Sequence, residues 1–470
     1  MHWRYCELLA GAAANLATVS VGCGIAWTSP VFQKLSDPSL KDNPFQVVLS
    51  ERDQLWAESA LTIGGFGGPL LACWIARHKG PRLALLLSSV LYIAASLLLM
   101  ISGSISLLIV ARSVVGLANG YVLLAVTLYI GEIASDPYRG TLGCFIQIGI
   151  TVGILLVYCT GPFVSYLALQ AVCCVVPILF GTLFLYMPET PHYLVQNGHL
   201  QRAVETLVFL RGAHNVQEVQ LELDEIKRYV QGRTGQDDAP VPAWQHLRRL
   251  LTVKSNRKAL LIALGLVLFQ QWTGIDSILA NGERLFAEAR ASLGSINATI
   301  VLGVLQFLAS CVTPLFIDRT GRRPILLASA IGMGLMMAAL GTYFLLVRHY
   351  ATVSLGPLRW IPLVAVVGFV TLFNAGFGPV AWAIVMEIFA HELKPFGLTV
   401  CVLASVLFDC AIQRMLAVLI VSAGFDWAFW TLAGVCVAGG VFGWCVVIET
   451  RALNLLEIQQ RLAGVKVVRL

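Results

Sequence analysis

Apolar stretches of about 20 residues recur twelve times along this chain, and no other feature restricts its fold so severely. Each is long enough to cross a hydrocarbon core of about 30 Å as a helix. Lipid offers no partner for a peptide N–H or C=O, so only helices or closed barrels can span it. The runs are continuous and do not alternate in twos, which favours helices over a barrel. The predicted spans are 8–29, 54–76, 83–103, 107–132, 141–162, 166–187, 259–280, 296–317, 324–346, 360–386, 397–421 and 427–448. Only 12% of the 470 residues are charged, about half the share in soluble domains, and this supports the same conclusion. Eleven more runs follow the first, which is read as a span, not a leader.

Lys and Arg set the expected orientation. With the N-terminus inside, most of the 32 basic residues fall in cytosolic segments, so both termini are expected there. The net charge of +6 therefore reports topology, and no basic patch interleaved with aromatics points to nucleic acid. The twelve cysteines lie mostly within spans and show no ligand spacing, so they read as small buried hydrophobes. "GGFGGP" (64–69) contains a Gly-x-Gly spacing but lies in a span with no strand before it, which favours helix packing over a phosphate cradle. No catalytic triad or metal constellation is visible, and no enzyme, cofactor or metal is expected.

The spans form two sets of six, joined by a long polar segment. The expected organisation is a first bundle over 1–191, a helical cytosolic linker over 192–258, a second bundle over 259–450 and a cytosolic tail over 451–470. Within the linker "GRTGQDDAPVP" must be loop. Val219, Leu223, Ile226 and Val230 before it form one apolar face of a surface helix. The halves carry matching marks in the same order. Gly80-Pro81-Arg82 after span 2 answers "DRTGRR" (Asp318, Arg322 and Arg323 among them) after span 8. Glu132 with Arg139 after span 4 answers Glu387 with Lys394 after span 10. Glu189 after span 6 answers Glu449 after span 12. Such repetition indicates an internal duplication, a common transporter plan. Acid and base groups at cytosolic helix ends can pair when that side closes and part when it opens, so these residues are read as a gate.

Polar residues inside span 7 indicate what passes. On a straight helix of about 100° per residue, Gln270, Thr273, Gly274, Ser277 and Asn281 share a stripe, with Gln271 at its edge. Asp276 falls off it unless the helix breaks at Gly274. Amides both donate and accept, which suits a ring of hydroxyls. Asp276, Asp409, Arg112 and Arg414 are intramembrane charges and functional candidates for that reason.

With "WTSP" (27–30), "RSVVGLANG" (112–120), "YIGEIASDPYRG" (129–140), "PETPHYL" (188–194), "FLRG" (209–212), "QQWTGI" (270–275), "GFGPVAW" (376–382) and "ETRALNLLEI" (449–458), these marks resemble the sugar porter family of the major facilitator superfamily. The likeness is nearest to insect facilitated trehalose transporters and animal facilitative glucose transporters. It implies an all-α fold of two pseudo-symmetric six-helix bundles rocking around a central cavity. It implies that Gln270 and Gln271 bind sugar, joined by Gln147, Gln306, Asn374 and Trp382, with Asp276 and Asn281 beside them. The expected unit is a monomer in a lipid bilayer, the plasma membrane, carrying a hexose or trehalose. Departures from the family pattern are Asp276 for Asn, Ala280-Asn281 for an aromatic pair, Ser405-Val406 for Asn-Trp, Arg77 for an acid, Pro81 for Arg and His192 for Arg. The last three predict a weaker cytosolic gate in the first half. Proton-coupled relatives pair the span 4 arginine with an acid on span 1. Arg112 is present, but no Asp or Glu lies between Glu7 and Asp37, which favours facilitated diffusion. Proton symport, another polar organic solute and a non-transporting sugar sensor remain as alternatives.

Overall fold

The computed structural model describes residues 5–36, 49–135, 138–234, 243–288, 294–349, 360–390, 393–451, 453 and 455–464. Among them twelve helical segments are long and apolar enough to cross a membrane, and the chain is an all-α multi-pass membrane protein. The spans run Cys6–Leu35, Arg52–Lys79, Pro81–Met100, Ile105–Ile133, Gly140–Thr160, Tyr166–Phe184, Lys254–Ala280, Ser295–Ile317, Arg322–His349, Ile361–Ile388, Lys394–Ser422 and Phe425–Cys445. Large side chains such as Leu70, Val90, Leu335 and Val418 point outward from them, which only an apolar surrounding stabilises.

The two halves repeat one packing plan. Span 1 packs on span 5, 2 on 4 and 3 on 6; span 7 packs on 11, 8 on 10 and 9 on 12. Between halves, span 5 meets spans 8 and 10, and span 11 meets spans 2 and 4. Lipid supplies no hydrophobic drive between helices, so close approach depends on small residues. The Gly-rich stretch of span 2 does this: a Cβ on Gly64 would stand 2.0 Å from the Ser113 carbonyl oxygen of span 4, and one on Gly68 2.2 Å from that of Leu117.

Between spans 6 and 7 a small helical layer covers one face. Val219, Leu223 and Ile226 of helix Val216–Thr234 bury against Leu194, Val195, Ala203 and Leu207. The Val230 side chain and residues 235–242 of "GRTGQDDAPVP" lie outside the described residues, while its first three, 232–234, continue the helix where loop was expected. Arg211 ties the layer to the first bundle, donating to Glu7 at 2.8 Å, Glu222 at 2.6 Å and the Ile133 carbonyl at 3.0 Å. Under the second bundle, helix Leu455–Ala463 buries Ile458 and Leu462, and Gln459 donates to the Ile388 carbonyl at 2.8 Å.

Candidate functional site

Span 7 breaks where its glycine stands. Gly274 takes φ +75°, a left-handed conformation that glycine adopts without the Cβ penalty. The helix Lys254–Trp272 ends before it and a new one, Ile275–Ala280, begins after it. The break sets Asp276 beside Gln271, whose amide donates to Asp276 Oδ2 at 3.4 Å. Span 10 breaks by another means. A five-residue π-turn, Phe373–Phe377, precedes Gly378-Pro379. Proline has no N–H to offer the preceding turn, and the Asn374 carbonyl accepts from Thr313 Oγ1 instead, at 3.0 Å.

A cavity of about 450 Å³ lies between the two halves. The first half contributes Glu58, Thr62, Arg112 and Asn119; the second contributes Gln271, Asp276, Ser277, Asn281, Asp409 and Gln413. Its rim, at Gln54, Arg284, Val421 and Phe425, is on the face opposite the helical layer. Three of the expected substrate contacts, Gln271, Asp276 and Asn281, line it. The other five do not. Gln270, 4% exposed, donates to the Gly378 carbonyl at 3.1 Å. Gln147 donates to Asn374 Oδ1 at 2.9 Å, a bond between the halves. Trp382 packs half-buried against the core. Gln306 is fully buried with both amide atoms unpartnered, and Gln270 Oε1 is unpartnered as well.

Several lining residues escaped sequence reasoning. Glu58 and Arg284 stand near span ends, where charge is ordinary, and no local signal separates them from topology marks. Asp409 accepts from Gln413 at 2.9 Å and from Thr62 at 3.4 Å, and Arg414 donates to Ser59 at 2.7 Å, so each finds a partner on span 2. Arg112 donates to the Gly24 carbonyl at 3.0 Å and lies over the Trp27 ring.

The layered face is closed. Arg322 and Glu387 pair at 3.0 Å, both side chains 6% exposed. Glu449 caps the start of span 9, accepting from the backbone N–H groups of Arg322 at 3.0 Å and Arg323 at 3.2 Å. In the first half Glu189 accepts from Arg82 N–H at 3.0 Å, and burial raises its carboxyl pKa. Pro81 offers no guanidinium, so Glu132 takes the Thr190 hydroxyl at 2.6 Å. Lys394 crosses between halves to the Gly131 carbonyl at 3.0 Å, and Arg77 stacks on Phe396. The side chains of Arg139 and Asp318 lie outside the described residues.

On the opposite face the halves also touch. Thr28 donates to the Ala280 carbonyl at 3.0 Å and Tyr158 to that of Leu279 at 2.5 Å. Glu283, 4% exposed, faces Gln33 there, and burial raises its carboxyl from 4.5 to about 7 against the pull of Lys34. Between those values the folded chain holds the proton more tightly than the unfolded one. Stability therefore falls as pH rises from about 4.5 to about 7 and is flat above. Unfolding temperatures across pH 4.5–8 should show this slope, and Glu283→Gln should remove it.

The family model described as sugar (and other) transporter matches residues 20–462. The facilitated trehalose transporter Tret1 of Culex quinquefasciatus is 30% identical over 461 residues, 98% of this chain and 86% of that protein. Tret1 of Drosophila yakuba is 29% identical over 460 residues, but the chain spans only 52% of its length. In fold the chain is similar to the MFS proton:xylose symporter XylE bound to 6-bromo-6-deoxy-D-glucose. The TM-score is 0.81 at 22% identity, covering 98% of this chain and 100% of that one.

Proposed function

The chain belongs to the sugar (and other) transporter family, and on that premise we propose that it carries a hexose or trehalose across the membrane by facilitated diffusion, through alternating access. The observation that supports this most directly is the cavity shared by the two halves, bridged toward the helical layer by Lys394 on the Gly131 carbonyl and Arg77 on Phe396, and lined by amides, hydroxyls and carboxylates. Hydroxyls of a sugar can donate to Asp276 and Asp409 and exchange bonds in both senses with Gln271, Asn281 and Gln413. Gln270, Gln147, Gln306, Asn374 and Trp382, which do not line this cavity, would join the site when the halves move. The unpartnered buried amide of Gln306 supports this, since such a group costs about 1–3 kcal/mol until something bonds to it. Substrate would reach it as the Gln147–Asn374 bond opens.

The gate residues take the role of a latch. Arg322, Glu387 and Glu449 hold the second half; Arg82, Glu132 and Glu189 hold the first; Lys394 joins the two. Arg139, Arg323 and Asp318 belong to the same marks by sequence. The working unit is a monomer in the plasma membrane, with both termini and the helical layer cytosolic.

Proton symport has one observation in its favour: Glu58 on span 2 is near enough to act on Arg112. Against it, Glu7 of span 1 is engaged by Arg211 and Ser135 at the layered face. Uptake of labelled glucose and trehalose into liposomes decides. Flux is expected without a pH gradient, and Gln271→Leu should weaken half-saturation about tenfold. A rate that follows the gradient rules out facilitated diffusion; saturable binding with no flux makes the protein a sensor.

A further inference from the structure

Within the first bundle, away from the gate, lies a set of buried nitrogen donors, of which only Arg112 also reaches the central cavity. Arg112 is 1% exposed; its Nη1 is bonded, but Nε and Nη2 have no partner. Its guanidinium lies 4.8 Å from the centre of the Trp27 ring. Trp27, 2% exposed, also leaves its indole Nε1 unpartnered. Tyr166 of span 6 stands edge-on to Trp27 at 6.3 Å. One turn along span 6 comes Gln170, fully buried, with neither amide atom bonded. Its level is fixed from both sides. Tyr166 meets Trp27, while Cys173 meets Cys23, one turn before Trp27 on span 1.

The donors and acceptors in this set do not balance. Guanidinium and indole nitrogens only donate. The amide oxygen of Gln170 cannot serve them all, and a water molecule brings as many donors as acceptors. Glu58 acts on Arg112 through space without a hydrogen bond between them, and it faces Asn281 and Arg284 of the second half. An excess of buried N–H groups around a guanidinium is satisfied by a ligand that only accepts and carries negative charge. We infer that spans 1, 4 and 6 enclose a site for a small monovalent anion, chloride in size, held by Arg112, Trp27 and Gln170.

The test needs no sugar. Unfolding of the purified full chain is followed while sodium chloride replaces sodium isethionate at constant ionic strength. A saturable rise in unfolding temperature is expected with chloride. Trp27→Phe keeps the ring under Arg112 but removes the N–H, and Gln170→Met keeps the bulk. Each should raise the chloride midpoint about tenfold, the worth of one hydrogen bond to a charged group. Equal stability in both salts, or variants with an unchanged chloride response, overturns the site. Should the variants not fold, crystals of the unaltered protein grown in bromide decide. An anomalous peak beside Arg112 and Gln170 supports it, and its absence there refutes it.

Discussion

Arg322→Ala will open the layered face and lower stability by about 3–5 kcal/mol, because it strands the Glu387 carboxylate in a buried site. The two side chains are each 6% exposed and meet at 3.0 Å, and Glu387 Oε2 has no other partner. Arg322 also donates to the Ile317 carbonyl at 3.3 Å, so its loss frees the end of span 8 as well. Hydrogen exchange should rise at 130–134 and 388–394, where Lys394 bonds Gly131 across the halves. Arg322→Ala combined with Glu387→Ala should recover most of the loss, since neither charge is then left alone. If the double variant is as unstable as the sum of the singles, the pair is not the latch.

Gly116→Val will prevent the first bundle from assembling. A Cβ at this position would stand 1.8 Å from the Leu61 carbonyl oxygen and 2.7 Å from its carbon, both backbone atoms. A side chain can swing away; the backbone of span 2 cannot without separating two helices. Overpacking typically costs about 1–3 kcal/mol, and a clash with main chain belongs at or above the upper end. Spans 2 and 4 both line the cavity, so the defect should abolish flux as well as the yield of monodisperse protein. Gly103→Ala, where nothing lies within 4 Å, is the control and should leave both unchanged. Folded, active Gly116→Val protein would show that this helix contact is looser than described.

The departures from family pattern divide between consequence and silence. Pro81 has a visible effect, since Glu132 bonds a hydroxyl where Glu387 bonds a guanidinium. Arg77 is not idle either, as it stacks on Phe396 across the halves. With a hydroxyl on Glu132 where Glu387 has a guanidinium, hydrogen exchange is expected to be faster at the layered-face ends of the first half than of the second. Ser405 and Val406 line the cavity wall where the family carries bulk, so the space they leave belongs to the site.

Much of the architecture could be read from residue order. The twelve spans follow from apolar length, since a chain in lipid must satisfy its backbone within each helix. The break at Gly274 was foreseeable, because glycine alone among its neighbours takes positive φ freely. The linker helix was equally legible through Val219, Leu223 and Ile226. What could not be read was the sorting of polar residues. Gln270 and Gln271 are adjacent, about 100° apart on a helix, so they face different neighbours. Gln271 enters the cavity; Gln270 turns to a carbonyl next to a π-turn in span 10, 108 residues away in sequence. Glu58 joins the cavity for a comparable reason, through the placement of span 2 against spans 4 and 11. Hydropathy and local backbone preference thus determined the number of spans, their limits to within several residues and where one bends. The tertiary structure alone decided which amides and carboxylates share a cavity, because helix rotation and crossing are set by packing between residues far apart in the chain.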